Sequence, residues 1–278
     1  MKNLIMLFGL LTSHLYIQAI NAQIGYQLVE GANSKAMGGI GVMFQGAKAI
    51  FQNPAGLITT SEPTLIAASE IRQGLKELRP MAFAAILPAQ SAVFGMVYQT
   101  FHFEDYRESK LGLAYSRRMT SNFNIGLQLD YLRLRINEYG VVNLLTFEIG
   151  SNVLITKDLM LSAYVFNPVA VRINETEERT PSVFRLGLGY QLNTKVSLCL
   201  ETEKDIYFAP SYKFGLAYQT TESINIRCGF RTQPTVFSLG IDYRIGKRAS
   251  IDMALSNHTY LGATPAINLN YSFEKEKR

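Results

Sequence analysis

Residues 184–191 read FRLGLGYQ, and this stretch decides the fold. Apolar residues occupy the even positions 184 to 190, while Arg, Gly, Gly and Gln occupy the odd positions 185 to 191. Strict alternation over about eight residues is typical of a β-strand with one apolar and one polar face. The same pattern recurs in SYKFGLAY (211–218), FSLGIDYR (237–244) and INLNYSF (267–273). The sequence therefore predicts an all-β protein.

The composition excludes several classes of protein. Charged residues make up 18% of the 278-residue chain, against about 25% in an ordinary soluble domain. Lys and Arg number 27 against 22 Asp and Glu, but they are scattered, so we expect no nucleic-acid partner. Cys199 and Cys228 lack the spacing of a zinc site, and we predict neither a metal nor a cofactor. After residue 22 no apolar run is long enough for a membrane-spanning helix.

Residues 1–22 have the order of a secretory signal peptide. A Lys near the start precedes the apolar run LIMLFGLL, and small residues lead to Ala22. The alternative is an N-terminal membrane anchor, but Thr12, Ser13 and His14 interrupt the apolar run before about 20 residues are reached. We therefore predict export and cleavage after Ala22.

Residues 64–273 are predicted to form a transmembrane barrel of fourteen antiparallel strands. The strands are expected to start near residues 64, 80, 91, 107, 122, 140, 158, 180, 194, 210, 222, 234, 247 and 264. A soluble all-β protein could show such alternation too, but outer-membrane barrels add short turns at the periplasmic end and longer loops outside.

The spacing of the strands predicts such an alternation of links. Tight links are expected at 88–91, 155–158, 191–194 and 219–222, all after even-numbered strands, and longer links at 72–79, 100–107, 166–181, 204–211 and 257–265. This alternation of short and longer links predicts a barrel in the outer membrane of a Gram-negative bacterium, with both mature termini on the periplasmic side. It also places an acidic loop around Glu175, Glu177 and Glu178 outside the cell.

Five tyrosines at the same place in even-numbered strands suggest a membrane interface. They end the repeats GLAY, GLGY, GLAY, GIDY and NLNY, and are Tyr115, Tyr190, Tyr218, Tyr243 and Tyr271. Aromatic girdles mark both edges of the apolar belt of a membrane barrel. We predict that these tyrosines form the periplasmic girdle, with ordinary tyrosines of a soluble sheet as the alternative.

The face opposite the apolar one carries charges of both signs. They are Glu148, Arg185, Glu201, Glu203, Lys213, Arg227, Asp242, Arg244 and Asp252. We therefore expect a polar, internally charge-paired lumen that braces the barrel. Inward-facing glycines, at 112, 187, 189, 215 and 240, are expected to leave room inside for a plug.

A segment without strand alternation precedes the barrel. Residues 31–57 read GANSKAMGGIGVMFQGAKAIFQNPAGL, which is rich in Gly and Ala and too apolar to stay in water. Glycines 38, 39 and 41 permit positive φ or close backbone approach, and Asn53 with Pro54 signals a turn or a helix start. The motif residues are Gly38, Gly39, Gly41, Asn53, Pro54 and Gly56.

This segment resembles the N-terminal hatch of the FadL-like superfamily of long-chain fatty-acid transporters. It also resembles the hatch of the PorV/PorQ barrels, Bacteroidetes relatives in type IX secretion. The resemblance rests on A-x-G-G-x-G-V at 36–42, on A-x-x-x-x-x-N-P-A-G-L at 47–57, and on the fourteen strands that follow. It implies a hatch of residues 23–63 in the lumen of a barrel whose wall opens sideways for hydrophobic substrates.

If the resemblance holds, it implies a ligand path between the hatch and the first three strands. The expected hatch side is Met37, Ile40, Met43, Phe44, Ile50 and Phe51. The expected wall, poor in bulky or charged groups, is Ala67, Ala68, Ala82, Ala84, Ala85 and Gly95. The chain is shorter than typical fatty-acid transporters, and the charged tail EKEKR (274–278) follows the last strand as an overhang or a docking handle.

Two functions follow from these expectations. The first is passive passage of small hydrophobic molecules across the outer membrane, with membrane lipids and an apolar ligand as partners. The alternative is a non-transporting accessory barrel of a type IX secretion system that docks cargo or a translocon protein. We predict no enzyme activity, because the nearest nucleophile pair, Ser256 and His258, and the acidic group His102, Glu104 and Asp105 look like ordinary loop residues.

Overall fold

The computed structural model describes residues 26–169 and 180–274, and fourteen antiparallel strands close into one barrel in chain order. The predicted signal peptide, its cleavage site, residues 23–25, the acidic residues 175–178 and tail residues 275–278 lie outside the described residues. The strands are β1 (Thr64–Glu70), β2 (Met81–Pro88), β3 (Ala92–Phe103), β4 (Tyr106–Arg118), β5 (Phe123–Ile136), β6 (Gly140–Leu154), β7 (Leu159–Phe166), β8 (Val183–Gln191), β9 (Val196–Asp205), β10 (Ser211–Gln219), β11 (Ile224–Arg231), β12 (Val236–Ile245), β13 (Ala249–His258) and β14 (Gly262–Ser272). Each begins within three residues of its predicted start, so the fourteen-strand prediction is confirmed.

The alternation of apolar and polar residues gives the barrel an apolar exterior and a polar interior. In β8, Phe184, Leu186 and Leu188 are 40 to 49% exposed on the outside, whereas Arg185 is only 2% exposed on the inside. The outward faces of the other strands are also largely apolar, with Leu113, Leu129 and Leu239 among the most exposed residues. Within the described residues no helix is long and apolar enough to cross a bilayer.

The links between strands differ in part from the prediction. Links at the end where even-numbered strands finish, called here the even end, are short, as predicted. At the opposite, odd end, the predicted long links at 100–107 and 257–265 are wrong, because only 104–105 and 259–261 separate the strands there. Alternation is hard to recognise where both faces are polar, so strand residues at these ends resembled loops. The long odd links are 71–80 and 167–182.

Residues 26–63, called here the N-terminal segment, form no strand. The segment contains one helical turn (Ala32–Lys35) and two 3-10 helices (Ala47–Phe51 and Pro54–Thr59). Most of it is buried, and it contacts inward-facing residues of β1, β3–β6 and β8–β14. The segment therefore packs against nearly the whole inner circumference of the barrel.

Candidate functional site: the interior of the barrel

Two cavities lie at the two ends of the barrel, on either side of the N-terminal segment. The even-end cavity is about 1100 Å³, and its walls include Asn33, Phe44, Lys48, Arg227 and Asp252. The odd-end cavity is about 1280 Å³, and its walls include Tyr26, Arg72, Phe101, Arg231 and Tyr260. None of the described residues lines both cavities, so the segment separates them.

A buried carboxylate holds the N-terminal segment on one side. Glu201 Oε2 accepts hydrogen bonds from the backbone amides of Gly41 and Val42, at 2.9 and 3.0 Å. Its Oε1 accepts from Arg185 Nε at 2.7 Å and from Lys213 Nζ at 2.9 Å. All these groups are buried, and both oxygens of the carboxylate are paired with buried donors, as a buried charge requires.

The same cations also bind the segment directly. The carbonyl oxygen of Gly39 accepts from Lys213 Nζ at 2.9 Å and from Arg185 Nη2 at 3.3 Å. Nearby, the hydroxyl of Tyr26 donates to Glu203 at 2.8 Å. Strands β8, β9 and β10 thus contact the segment through charge-assisted hydrogen bonds, which are about twice as strong as neutral ones.

A second buried charge cluster lies in β4–β6. Lys110 pairs with Asp130 at 3.3 Å and with Glu148. Within the described residues, none of these three groups bonds to the N-terminal segment. The predicted polar, charge-paired inner face is therefore confirmed, and only part of it touches the segment.

The turn at Asn53 fits against glycines of the opposite wall. Asn53 Oδ1 accepts from the amide of Ala55 at 3.0 Å, and Pro54 begins a 3-10 helix, so the predicted helix start is confirmed. The Asn53 Nδ2 group also donates to the carbonyl of Val42 at 2.6 Å. A Cβ atom at Gly126 would overlap the backbone of Ala55, and one at Gly150 would overlap Asn53.

The motif glycines fall into two groups. Gly38 and Gly39 have φ of 69° and 84°, and Gly38 lies against the Phe230 backbone. Gly41 and Gly56 lack positive φ but permit close contact, because a Cβ at Gly41 would lie 2.5 Å from Gln52. These positions require glycine for packing within the segment and, at Gly38, against β11.

The wall glycines were only partly predicted. Gly187, Gly189, Gly215 and Gly240 face the N-terminal segment as expected, but Gly112 accommodates the Asp130 and Gln128 side chains instead. Three further wall glycines were not predicted, although their alternation with outward apolar residues could have revealed them: Gly126, Gly150 and Gly229. All three would place a Cβ on the backbone or side chains of the segment.

The predicted ligand-path residues do not lie together. Met37 and Ile40 contact Gly215, and Met43 contacts Gly187, so these three face β8 and β10 rather than the first three strands. The expectation placed them on the wrong side, because the direction of each segment side chain depends on turns that have no strand period. Phe44 lies near Arg227 of β11, and Phe51 lies against Gly31 of the segment itself.

The first three strands are contacted by other residues. A Cβ at Gly95 would lie 2.7 Å from Ile50 and 3.3 Å from Leu57. Inward-facing Ala68, Ala82 and Ala84 belong to the same buried apolar cluster. Ala67 and Ala85 were wrongly placed in this wall, because their alternation puts them on the outer face.

The five predicted girdle tyrosines lie on the outer face near the even end. Tyr190, Tyr218, Tyr243 and Tyr271 are 40 to 46% exposed. Tyr115 is half-buried, with its ring centroid 5.4 Å from that of Phe94. They form a band of aromatic side chains, and its periplasmic assignment remains a prediction.

One charged group in the even-end cavity was not predicted from the sequence. The ammonium group of Lys48 lies 5.0 Å from the centroid of the Phe44 ring. Burial, reinforced by nearby Arg227, lowers the pKa of Lys48 to about 8.

Of the residues considered for catalysis, Ser256 donates to the carbonyl of Thr264 and His258 accepts from the amide of Tyr260.

Solved structures share this fold. The Ralstonia pickettii toluene transporter TbuX aligns with a TM-score of 0.68 and 14% identity, covering 88% of this chain and 98% of its own. The monoaromatic hydrocarbon channel CymD aligns at 0.70 and 12%, covering 91% and 100%. A Pseudomonas aeruginosa FadL homologue aligns at 0.62 and 12%, covering 88% and 98%.

The comparisons bear on the fold alone. No protein-family model matches the sequence, and no curated protein sequence matches it. The narrower resemblance to PorV/PorQ barrels and the secretion-accessory alternative gain no support from these structures. The chain therefore shares the barrel fold of a toluene transporter, a monoaromatic hydrocarbon channel and a FadL homologue.

Proposed function

We propose that this protein is an outer-membrane channel for passive passage of small hydrophobic molecules. The observation that carries the proposal is a closed barrel with an apolar exterior and two interior cavities separated by the N-terminal segment. The shared fold supports it, because the proteins with that fold include toluene and monoaromatic hydrocarbon channels. We infer that the tyrosine band lies at the periplasmic interface, which makes the odd end extracellular.

The N-terminal segment is the plug of this channel. It has strong polar bonds to β8–β10 through Glu201, Arg185 and Lys213, and apolar packing against β1–β3 through Ile50 and Leu57. Toward the odd end the segment also has polar contacts with β1 and β3, from Lys35 to Glu70 and from the amide of Val29 to Gln99. An apolar molecule gains nothing from breaking charge-assisted hydrogen bonds, but it can replace one apolar contact by another. The route therefore follows the apolar side, called here the Ile50 seam and formed by Ile50, Leu57, Ala84 and Gly95.

A pair of neighbouring residues tests the route. Ala84 faces the seam, whereas Ala85 lies on the outer face. Ala84→Trp should abolish uptake of toluene into lipid vesicles that contain the purified protein, and Ala85→Trp should leave uptake near that of the wild type. Heat-modifiable mobility on gels checks that both variants fold. Equal uptake by the two variants would exclude the seam as the route, and toluene entry no faster than into empty vesicles would exclude the channel function.

A further inference from the structure

Three arginines form an exposed patch on the outer face near the odd end. Arg107 of β4 is the direct cross-strand partner of Arg135 in β5. Arg133 lies two residues before Arg135 on the same face of β5, nearer the middle of the barrel, and its cross-strand partner is Ser109. All three side chains are exposed. His102 of β3 extends the same row, since it is the cross-strand partner of Arg107. These arginines are called here the arginine patch.

The patch has no acidic partner in the part of the chain that the structure describes. No ion pair within 4.0 Å involves Arg107, Arg133 or Arg135. The adjoining turn carries Asp105, but its carboxylate accepts a hydrogen bond from Asn137 at 2.6 Å instead. Like charges directly across a strand pair are destabilising, so an anion from outside the chain would stabilise this arrangement.

The patch lies at the height of lipid headgroups. Leu111 and Tyr131 form the next exposed row toward the middle of the barrel. Arg107 lies eight positions along β4 from the even-end Tyr115, which is about 27 Å of strand at roughly 3.4 Å per residue. A strand tilt near 40° reduces this to about 21 Å, close to the roughly 25 Å height of an apolar belt.

We propose that the arginine patch binds the phosphate groups of lipid headgroups in the leaflet at the odd end. The guanidinium group presents a planar fork of donors that matches phosphate oxygens, and it is the side chain best suited to bidentate phosphate binding. Two arginines side by side and a third one repeat away fit a headgroup with more than one phosphate. This inference rests on the proposed membrane location.

The test compares two matched triple variants in neutral detergent. Arg107→Gln, Arg133→Gln and Arg135→Gln remove the patch. Arg117→Gln, Lys195→Gln and Lys247→Gln remove the same charge from exposed positions near the even end, none of them in an ion pair within the described residues. Bisphosphorylated lipid A and its dephosphorylated form are titrated against each protein, and bound lipid is counted by native mass spectrometry.

We expect the wild type and the even-end variant to prefer the phosphorylated lipid. Each arginine near an anionic surface contributes about a fivefold gain in affinity, so the patch variant should lose at least tenfold and discriminate little between the two lipids. The proposal is overturned if all three proteins prefer the phosphorylated lipid A equally. It is also overturned if inorganic phosphate displaces bound lipid A as effectively as added lipid does. Heat-modifiable mobility confirms folding, and insertion into lipid vesicles tests the membrane location separately.

Discussion

Replacing Glu201 by Gln should release the plug. The glutamine keeps the shape of the side chain but removes the charge that the Gly41 and Val42 amides and the Arg185 and Lys213 cations share. Charge-assisted hydrogen bonds are about twice as strong as neutral ones, which contribute about 1 kcal/mol each. Loss of the charge at two amides therefore weakens the contact by about 2 kcal/mol. This raises the population of the displaced segment about thirtyfold.

The assay is the frequency of open events for single barrels in a planar lipid bilayer. Glu148→Gln is the matched control, because Glu148 is also buried and pairs with Lys110, but has no hydrogen bond to the N-terminal segment within the described residues. Both substitutions weaken a buried ion pair, so both should lower barrel stability, but only Glu201→Gln should raise the open frequency. Equal opening by both variants would refute the assignment of Glu201 as the contact that holds the plug.

Three further predictions address the segment and its seat. Gly126→Val should prevent the segment from seating, because the new side chain overlaps the Ala55 backbone. Vesicle leakage of small sugars should therefore rise more than in Ala85→Val, which places the same side chain on the outer face of β2. Asn53→Ala loses a helix cap of about 1 kcal/mol and should raise leakage less. Folding lowers the pKa of Lys48 from 10.5 to about 8, so the folded state disfavours the protonated side chain. The resulting loss of stability is complete below about pH 8 and disappears as the pH rises toward 10.5. Lys48→Met should therefore stabilise the barrel against urea in detergent more at pH 7 than at pH 10.

The number of strands and the direction of their side chains could be predicted because each strand has a period of two. Arg185 and Leu186 must point to opposite faces whatever the tertiary structure, so one apolar neighbour determines the direction of the next. The same rule separates Ala84 from Ala85, and the errors in the expected alanine wall arose where residue size was considered without this alternation.

The packing of the N-terminal segment could not be predicted in the same way. Its turns depend on single backbone angles, such as φ of 69° at Gly38 and 84° at Gly39, and each one redirects every following side chain. Met37 and Met43 consequently face β8–β10, whereas Ile50 faces β3. Sequence composition identified the segment as one that requires burial but not which residue would meet which strand.

The distribution of small residues explains why the segment has two unlike sides. Gly126 receives the backbone of Pro54 and Ala55, and Gly150 receives the Asn53 side chain. Gly215 and Gly229 receive Met37, so close contact is available around much of the barrel. Close packing alone would therefore not determine which side opens. Charge does: β8–β10 carry buried ions that bond to the segment backbone, whereas the Ile50 seam offers alanine, glycine and aliphatic side chains. The polar contacts that β1 and β3 make with the segment, from Glu70 to Lys35 and from Gln99 to the amide of Val29, lie toward the odd end of these strands. An apolar molecule competes on equal terms only at the uncharged contact, so the placement of Arg185, Glu201 and Lys213 selects the Ile50 seam as the side that yields.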